Sequence, residues 1–416
     1  VRILVLSPRQ CYPVTSGAKL REYYLLRALG EAGELLLAGY RDAGTPEPEG
    51  EDIPFCRAFQ FAEKPQAYGP RQVFGGLVGK WPISVLNYTS GTMVSAAQEL
   101  AGDRTVDLIQ LESIHMIRNA EILAAVGVQA PVVYNWHNIE SELMRRFAES
   151  SASLARRAYA TLTAGKLRAI EHQILRSAFG HIVCSERERE ALSKIAPGAR
   201  IAVIENGVDC DAFAPGAAEA AGAAKASGTA AADGNAKNAI VFVGSMDYYP
   251  NAEGAVWFAR EIWPAIRERM PMLEFCVVGA RPTDGVLALR EIAGVTVTGT
   301  VPDVRPYYQR ALAAVVPLRT GGGTRLKILE AMAAGTPVVS TALGAEGLRV
   351  EPGAHYLLAG GDGSTSWVEA IQKLQSNPAE GVALAERGLR RAREAYDWKS
   401  LGAALVDTYR GWLRTA

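Results

Sequence analysis

The sequence predicts an α/β protein built on two doubly wound, parallel sheets. Short β-branched runs alternate with amphipathic helical stretches, the pattern that parallel crossovers leave in a chain. The alternation breaks once, over an Ala- and Gly-rich stretch, and then restarts. Apolar residues make up 49% of the 416 and charged residues 21%, which excludes a disordered chain and fills two sizeable cores.

The elements follow in order. Val1–Leu6 is too short for the apolar region of a leader peptide and reads as a buried first strand over Ile3–Leu6. Gly17 opens a helix that places Leu20, Tyr24 and Ala28 on one face and stops near Gly30. Further strands are predicted at Asp107–Leu111, Val132–Asn135, His181–Cys184 and Ile201–Ile204. Tyr40–Arg104 fits this rhythm poorly, and its Pro-rich opening, Gly44–Pro54, reads as loop. Pro215–Lys237 is nearly all small residues, and its glycines favour a flexible linker over a poly-Ala helix. Strands resume at Ile240–Val243, Glu274–Val278, Val295–Thr298, Ala314–Val316 and Pro337–Ser340, and Trp398–Leu413 is an amphipathic helix. The expected division is therefore a domain over 1–205, a hinge and linker over 206–238 and a second domain over 239–396. The C-terminal helix, 397–416, is expected to pack back on the first domain. A ligand is expected in a cleft where the carboxyl ends of the two sets of strands meet.

Composition excludes several classes. Basic and acidic residues number 44 each, so no large basic surface for nucleic acid is expected. The five cysteines are odd in number and none is spaced as CxxC, which argues against a disulfide framework or a structural zinc and makes a reducing, cytoplasmic compartment the simplest reading. No apolar run approaches the ~20 residues of a spanning helix, so any membrane contact would be peripheral. Residues 144–176 carry Arg145, Arg146, Arg156, Arg157, Lys166, Arg168 and Arg176 against Glu149 and Glu171. This stretch reads either as a solvated helix face or as a patch for anionic lipid.

The densest chemical signal lies in Val315–Val339. A buried strand ends, Gly321, Gly322 and Gly323 turn the chain, and a helix begins near Thr324, which can cap it, and ends at Gly335. Consecutive glycines let backbone N–H groups approach a ligand, and the helix start adds partial positive charge. Arg325 and Lys327 oppose that dipole, at a cost relieved only by a bound anion. Lys327 and Glu330 lie about 60° apart on the helix, on a face continued by the small Ala331 and Ala334. One surface thus offers phosphate donors and, a turn later, a carboxylate for a sugar diol. The alternative is a tight loop with a solvated Lys–Glu pair.

This segment resembles the donor site of the GT-B glycosyltransferases, family four in particular. Glu330, in the run Glu330-Ala331-Met332-Ala333-Ala334-Gly335-Thr336-Pro337-Val338-Val339, matches the glutamate that holds the nucleotide ribose in that family, and Arg325 and Lys327 match its diphosphate-binding cations. Asn206-Gly207-Val208-Asp209 resembles the interdomain motif. Ile240–Met246, with Gly244, resembles the first strand of the nucleotide domain, and Val297–Asp303, with Val301, the strand and loop beside the base. Two positions depart from the pattern. Gly322 stands where many relatives have a glutamate that touches the donor sugar, and Ser245 and Asn251 stand near a usual Arg and Lys. The Gly321–Thr324 backbone is then expected to recognise the sugar.

In the first domain Gly17, in Ser16-Gly17-Ala18-Lys19, is either a diphosphate-facing backbone position or an ordinary turn. His137 follows the strand Val132–Asn135, where relatives place a substrate-contacting histidine; a lone histidine is otherwise more often structural. Glu112, also at a strand end, is either an acceptor contact or a solvated cap. Asp209-Cys210-Asp211 spells a DxD metal pattern, but it sits in the hinge motif and such patterns arise by chance, so no metal is expected. The resemblance implies a metal-independent, retaining transferase without a cofactor. It would use a nucleotide-diphosphate sugar of UDP or GDP as co-substrate and a glycan or lipid-linked acceptor, in the synthesis of a surface polysaccharide or exopolysaccharide. Catalysis would rest on His137, Arg325 and Lys327. Rival readings are an epimerase or phosphorylase on the same fold, a non-catalytic sugar-nucleotide binder, and a dehydrogenase. The last is disfavoured by Ser7-Pro8-Arg9-Gln10-Cys11 where GxGxxG belongs.

Overall fold

The computed structural model describes residues 1–14, 16–151, 153–214, 238–321, 325–360 and 363–415. It divides into two compact units, Val1–Glu205 with Leu401–Ala416, and Asn206–Ser400. Most of the linker expected over 206–238, residues 215–237, lies outside the described residues, as do Gly322, Gly323 and Thr324.

The first unit carries β1 (Arg2–Ser7), β2 (Glu34–Arg41), β3 (Ala58–Glu63), β4 (Leu108–Leu111), β5 (Val132–Asn135), β6 (Gly180–Val183) and β7 (Ile201–Val203), ordered β3-β2-β1-β4-β5-β6-β7 with every pairing parallel. The second carries β8 (Ala239–Val243), β9 (Glu274–Val278), β10 (Val295–Val297), β11 (Ala313–Val316), β12 (Val338–Ser340) and β13 (Leu357–Leu358), ordered β10-β9-β8-β11-β12-β13, again all parallel. Both are doubly wound, Rossmann-like halves. Strand order reverses at β1/β4 in one and at β8/β11 in the other, which are the switch points where such sheets bind ligands. The central strands are mostly apolar because helices cover both faces, with Gln110 the polar exception inside β4. Leu4, Val5 and Leu6 are fully buried, each stabilising the fold by about 1.5–3 kcal/mol over its exposed state.

Two sequence expectations need correction. Glu34–Arg41 is a full strand in register with β1, from Arg2 opposite Glu34 to Ser7 opposite Gly39, and β3 extends the sheet inside the region that fitted the rhythm poorly. The first helix runs from Gly17 to Ala32 and so ends near Gly30 as expected; a Cβ at Gly30 would lie 2.1 Å from the Phe55 carbonyl oxygen, so this glycine serves close packing. The most buried face of that helix is Arg21, Glu22, Leu25, Leu26 and Leu29, not Leu20, Tyr24 and Ala28.

The C-terminal helix Trp398–Arg414 joins the first unit from Leu401 onward. The Tyr409 hydroxyl donates to Gln110 Oε1 at 2.6 Å, and the Trp412 ring fills the space a Cβ would need at Gly180. The five cysteines are all free thiols.

Candidate functional site

In the second unit the switch point is built from the exits of β8 and β11. After β11 the chain passes Leu318, which is buried, and turns at Gly321, whose φ is +101°. A Cβ there would also lie 2.7 Å from Pro250 Cγ, so backbone angle and packing both demand glycine. The following helix is Leu326–Ala333, so Arg325 stands at its cap position and not inside its first turn. Arg325 is buried, donates from Nη2 to the Gly321 carbonyl at 3.1 Å and lies 3.9 Å from the Glu346 carboxylate. Burial draws its pKa down from the ordinary guanidinium value.

Lys327 points back to the β8 exit. Its Nζ donates to Asn251 Oδ1 at 2.7 Å and lies 5.2 Å from the Phe242 ring centroid. Asn251 Nδ2 in turn donates to the Ser245 carbonyl at 2.9 Å. The space a Cβ would need at Gly244 is taken by that same amide, 2.7 Å away, so Gly244 admits Asn251 to the β8 exit. Burial pushes the Lys327 ammonium down to about 8, against the nearby Glu330 carboxylate, which raises it. Among the described residues no carboxylate lies within ion-pair distance of Lys327. A turn later Glu330 accepts from the Tyr308 hydroxyl at 3.0 Å, and burial raises its pKa. Ala331 and Ala334, expected to line a ligand-facing surface, are instead packed in the core at 0% and 2% exposure. Val301 is half-buried and packs against the same core.

Sequence reading passed over Arg281, which follows β9. It occupies the left-handed region at φ +50° and donates from Nε to Asp247 Oδ2 at 2.6 Å and from Nη2 to Ser245 Oγ at 2.9 Å. Its hydrogen bond, with one from Ser245, holds Asp247 down at about 2. A guanidinium thus stands beside Ser245, near the position where the family pattern lacked its arginine. The signal available in sequence was a cation shortly after Gly279 at a strand's carboxyl end.

In the first unit a buried polar cluster gathers at the β1/β4 switch point. Glu112 follows β4 and accepts from Asn135 Nδ2 at 2.8 Å, from His137 Nε2 at 3.2 Å and from Gln110. Asn135 Oδ1 accepts from Arg21 Nη2 at 3.1 Å, and Arg21 also donates to the Ile204 carbonyl at 2.7 Å. Glu22 accepts from Ser7 Oγ and lies 4.0 Å from Arg9 Nη1. Glu112 is therefore not a solvated cap, and His137 is not alone. The next residue, Ser113, turns sharply at φ +138°, and its hydroxyl pairs with His115 Nδ1 at 2.7 Å.

Burial and the neighbouring Glu112 push Glu22 up to about 8, so it is protonated at neutral pH. Burial alone would raise Glu112 as well; the bond and charge of His137, with Gln110 and Arg21, overcome it and hold Glu112 below its ordinary value. Burial keeps His137 below its usual range despite the bond and charge of Glu112, which raise it. Glu22, Glu112 and His137 each offer one ligand atom within 4.8 Å of the others, the group among the described residues whose composition suits a cation. A proton on Glu22 meets the same charge requirement.

Gly17 is the first residue of its helix, and the preceding Ser16 caps Lys19 N at 3.4 Å. The carboxylates of Asp209-Cys210-Asp211 do not converge: Asp209 caps Ala212 N at 2.8 Å, and Asp211 pairs with Lys399.

Residues 237–377 match the family model described as Glycosyl transferases group 1, and residues 23–207 match the one described as Glycosyl transferase 4-like domain. A curated D-inositol 3-phosphate glycosyltransferase of Mycolicibacterium paratuberculosis is 29% identical over 259 residues, 59% of this chain and 55% of that protein. The chain spans about half the length of the curated relatives it matches first. Among solved structures, a sucrose-phosphate synthase from Thermosynechococcus elongatus superposes with a TM-score of 0.67 at 21% identity over 100% of both chains. The Anabaena protein HepE, in complex with UDP and glucose, superposes with a TM-score of 0.63 at 16% identity over 99% of this chain and 100% of that one. At these identities the superpositions establish the fold.

Proposed function

The chain belongs to the GT-B glycosyltransferases of the family four-like type, and from that premise we propose that it transfers a sugar from a nucleotide-diphosphate sugar to an acceptor hydroxyl. The observation that carries this reading is Lys327. It is a half-buried ammonium whose hydrogen-bond partner is a neutral amide, standing at the start of a helix and at a sheet switch point. Such a charge is poorly compensated until an anion arrives. A diphosphate supplies it, and Arg325 and the helix amides add further donors.

In the reaction we infer, the bond between the anomeric carbon and the diphosphate oxygen breaks, and the acceptor oxygen bonds to that carbon. The acceptor proton passes to the departing diphosphate. Negative charge grows on the diphosphate as the bond lengthens, so Arg325 and Lys327 act more strongly on the transition state than on bound donor. Attack on the same face gives a retaining transfer, as the family resemblance implies. The fixed cations perform the neutralisation that a metal ion performs elsewhere, which favours metal-independent chemistry. Glu330 is assigned to the ribose hydroxyls and His137 to the sugar or acceptor.

UDP is the first nucleotide to test, because HepE was solved with UDP and glucose. Polyol phosphates are the first acceptors to test beside glycans, because the curated relatives are named for inositol 3-phosphate. The decisive assay follows release of nucleoside diphosphate from UDP- and GDP-sugars with and without acceptor. Release that requires acceptor supports transfer. Release or sugar isomerisation without acceptor contradicts it.

A further inference from the structure

Glu112 is held by two buried or nearly buried side-chain amides, and each amide is fixed by a donor from a different helix. At Oε1 Glu112 accepts from Gln110 Nε2, and at Oε2 from Asn135 Nδ2 at 2.8 Å and His137 Nε2 at 3.2 Å. An amide can present either its oxygen or its nitrogen, and its other partners decide which. Arg21, on the Gly17–Ala32 helix, orients Asn135 by donating to its Oδ1 at 3.1 Å. Tyr409, on the Trp398–Arg414 helix, orients Gln110 by donating to its Oε1 at 2.6 Å, across 299 positions of sequence.

Packing alone does not call for these groups. Gln110 and Glu112 are 0% exposed and Tyr409 2%, while Leu108, Ile109 and Leu111 fill the rest of β4 with apolar side chains. A buried glutamine costs stability unless both ends of its amide are paired, and here both are. Burial and the charge of Glu112 raise the Tyr409 phenol well above its ordinary value, so its oxygen keeps the proton that it donates. Donation to the Gln110 oxygen polarises the amide and strengthens the N–H that faces Glu112.

We propose that Tyr409 and Gln110 are positioning residues for His137: the chain Tyr409–Gln110–Glu112 orients a carboxylate that fixes the imidazole with its proton on Nε2. An ionised carboxylate offers only acceptors, so the ring nitrogen that faces it is the donor. With that proton in place, the neutral ring keeps a lone pair on Nδ1, the form that accepts from a substrate hydroxyl. The Trp398–Arg414 helix thus sets the tautomer of a side chain at the β5 exit as well as covering the sheet. The bearing on transfer rests on the assignment of His137 to the sugar or acceptor. The ring can be read without a transfer assay, so the chain can fail while that assignment stands.

The test is nitrogen NMR of the full chain carrying isotope-labelled histidine, near pH 7, with the His137 signals identified by their loss in His137→Gln. Couplings to the ring carbon-bound protons show which nitrogen carries the proton. Tyr409→Phe removes the hydroxyl alone, and Gln110→Met removes the amide at similar volume. Leu405→Ala, at a buried position of the same helix outside the chain, is the control for loosened packing. The expected wild-type ring is protonated on Nε2. Tyr409→Phe should shift the Nε2 resonance, and Gln110→Met should shift it further and populate the Nδ1-protonated form. Leu405→Ala should lower the melting temperature and leave the resonance in place. Three results overturn the proposal: a wild-type ring protonated on Nδ1 alone, a resonance that Tyr409→Phe and Gln110→Met leave unmoved, or one that Leu405→Ala moves as far as Tyr409→Phe. Melting curves check each fold, and if one of the two chain variants does not fold, the other decides.

Discussion

Lys327 and Asn251, 76 positions apart, are joined by a 2.7 Å hydrogen bond that ties the helix after β11 to the exit of β8. The bond orients a half-buried ammonium without neutralising it.

Removing that charge should separate activity from stability. Lys327→Met deletes a half-buried cation and its desolvation cost, so the melting temperature should hold or rise. Transfer should fall about a hundredfold, near 3 kcal/mol of transition-state stabilisation, and Arg325→Ala should act comparably on rate. Steady-state kinetics beside thermal melts check this. An unchanged rate in both variants refutes the diphosphate assignment.

Nucleotide affinity should depend on pH through Lys327. Its free-state value is about 8, and a bound diphosphate raises it, so binding takes up a proton. UDP affinity should be full at pH 7 and weaken as pH rises through about 8, a trend that Lys327→Met abolishes. Calorimetry in two buffers of different ionisation heat measures the proton uptake.

Glu22 makes a contrary contribution to stability. Its folded value, about 8, lies above the ordinary carboxyl range. The stability it contributes is therefore present below that range and is lost as pH rises through about 8. Glu22→Gln mimics the protonated form, so its melting temperature should match wild type near pH 4 and exceed it near pH 9. Glu112→Gln, which removes a charge that His137 and Asn135 bond, should destabilise at both.

Gly321→Ala forces a side chain into the left-handed region and against Pro250. A cost of about 1–3 kcal/mol is expected, seen as a lower urea midpoint, together with weaker nucleotide binding.

Glu330→Ala should weaken binding of the whole nucleotide about tenfold while leaving inorganic pyrophosphate inhibition unchanged, because it is assigned to the ribose and not to the phosphates. Tyr308→Phe, which removes only the hydroxyl that orients Glu330, should cost less. Competition assays with UDP, uridine and pyrophosphate distinguish the two.

Most strands were legible because buried parallel strands are apolar on both faces and so stand out as short continuous runs, whereas the strand order that sets the two switch points was not. Strand β2 was passed over because it follows its helix after Gly33 alone, with no longer run of turn residues to mark its start. On the first helix, Arg21 and Glu22 share the phase of Leu25 and Leu29, but a charged pair reads as solvent-facing until partners are known. Those partners, Ile204, Asn135 and Ser7, come from distant strand ends.

The sequence by itself determined the two doubly wound halves, the glycine turn before Arg325 and the cations and carboxylate that follow it. Each is a local matter of periodicity, backbone angle or helical spacing. Only the tertiary structure decided that Asn251 meets Lys327, that Arg281 stands beside Ser245, that Glu22, Glu112 and His137 share one buried cluster, and that Ala331 and Ala334 belong to the core. Those outcomes depend on which strand ends converge and on how much water burial removes, and one-dimensional spacing records neither.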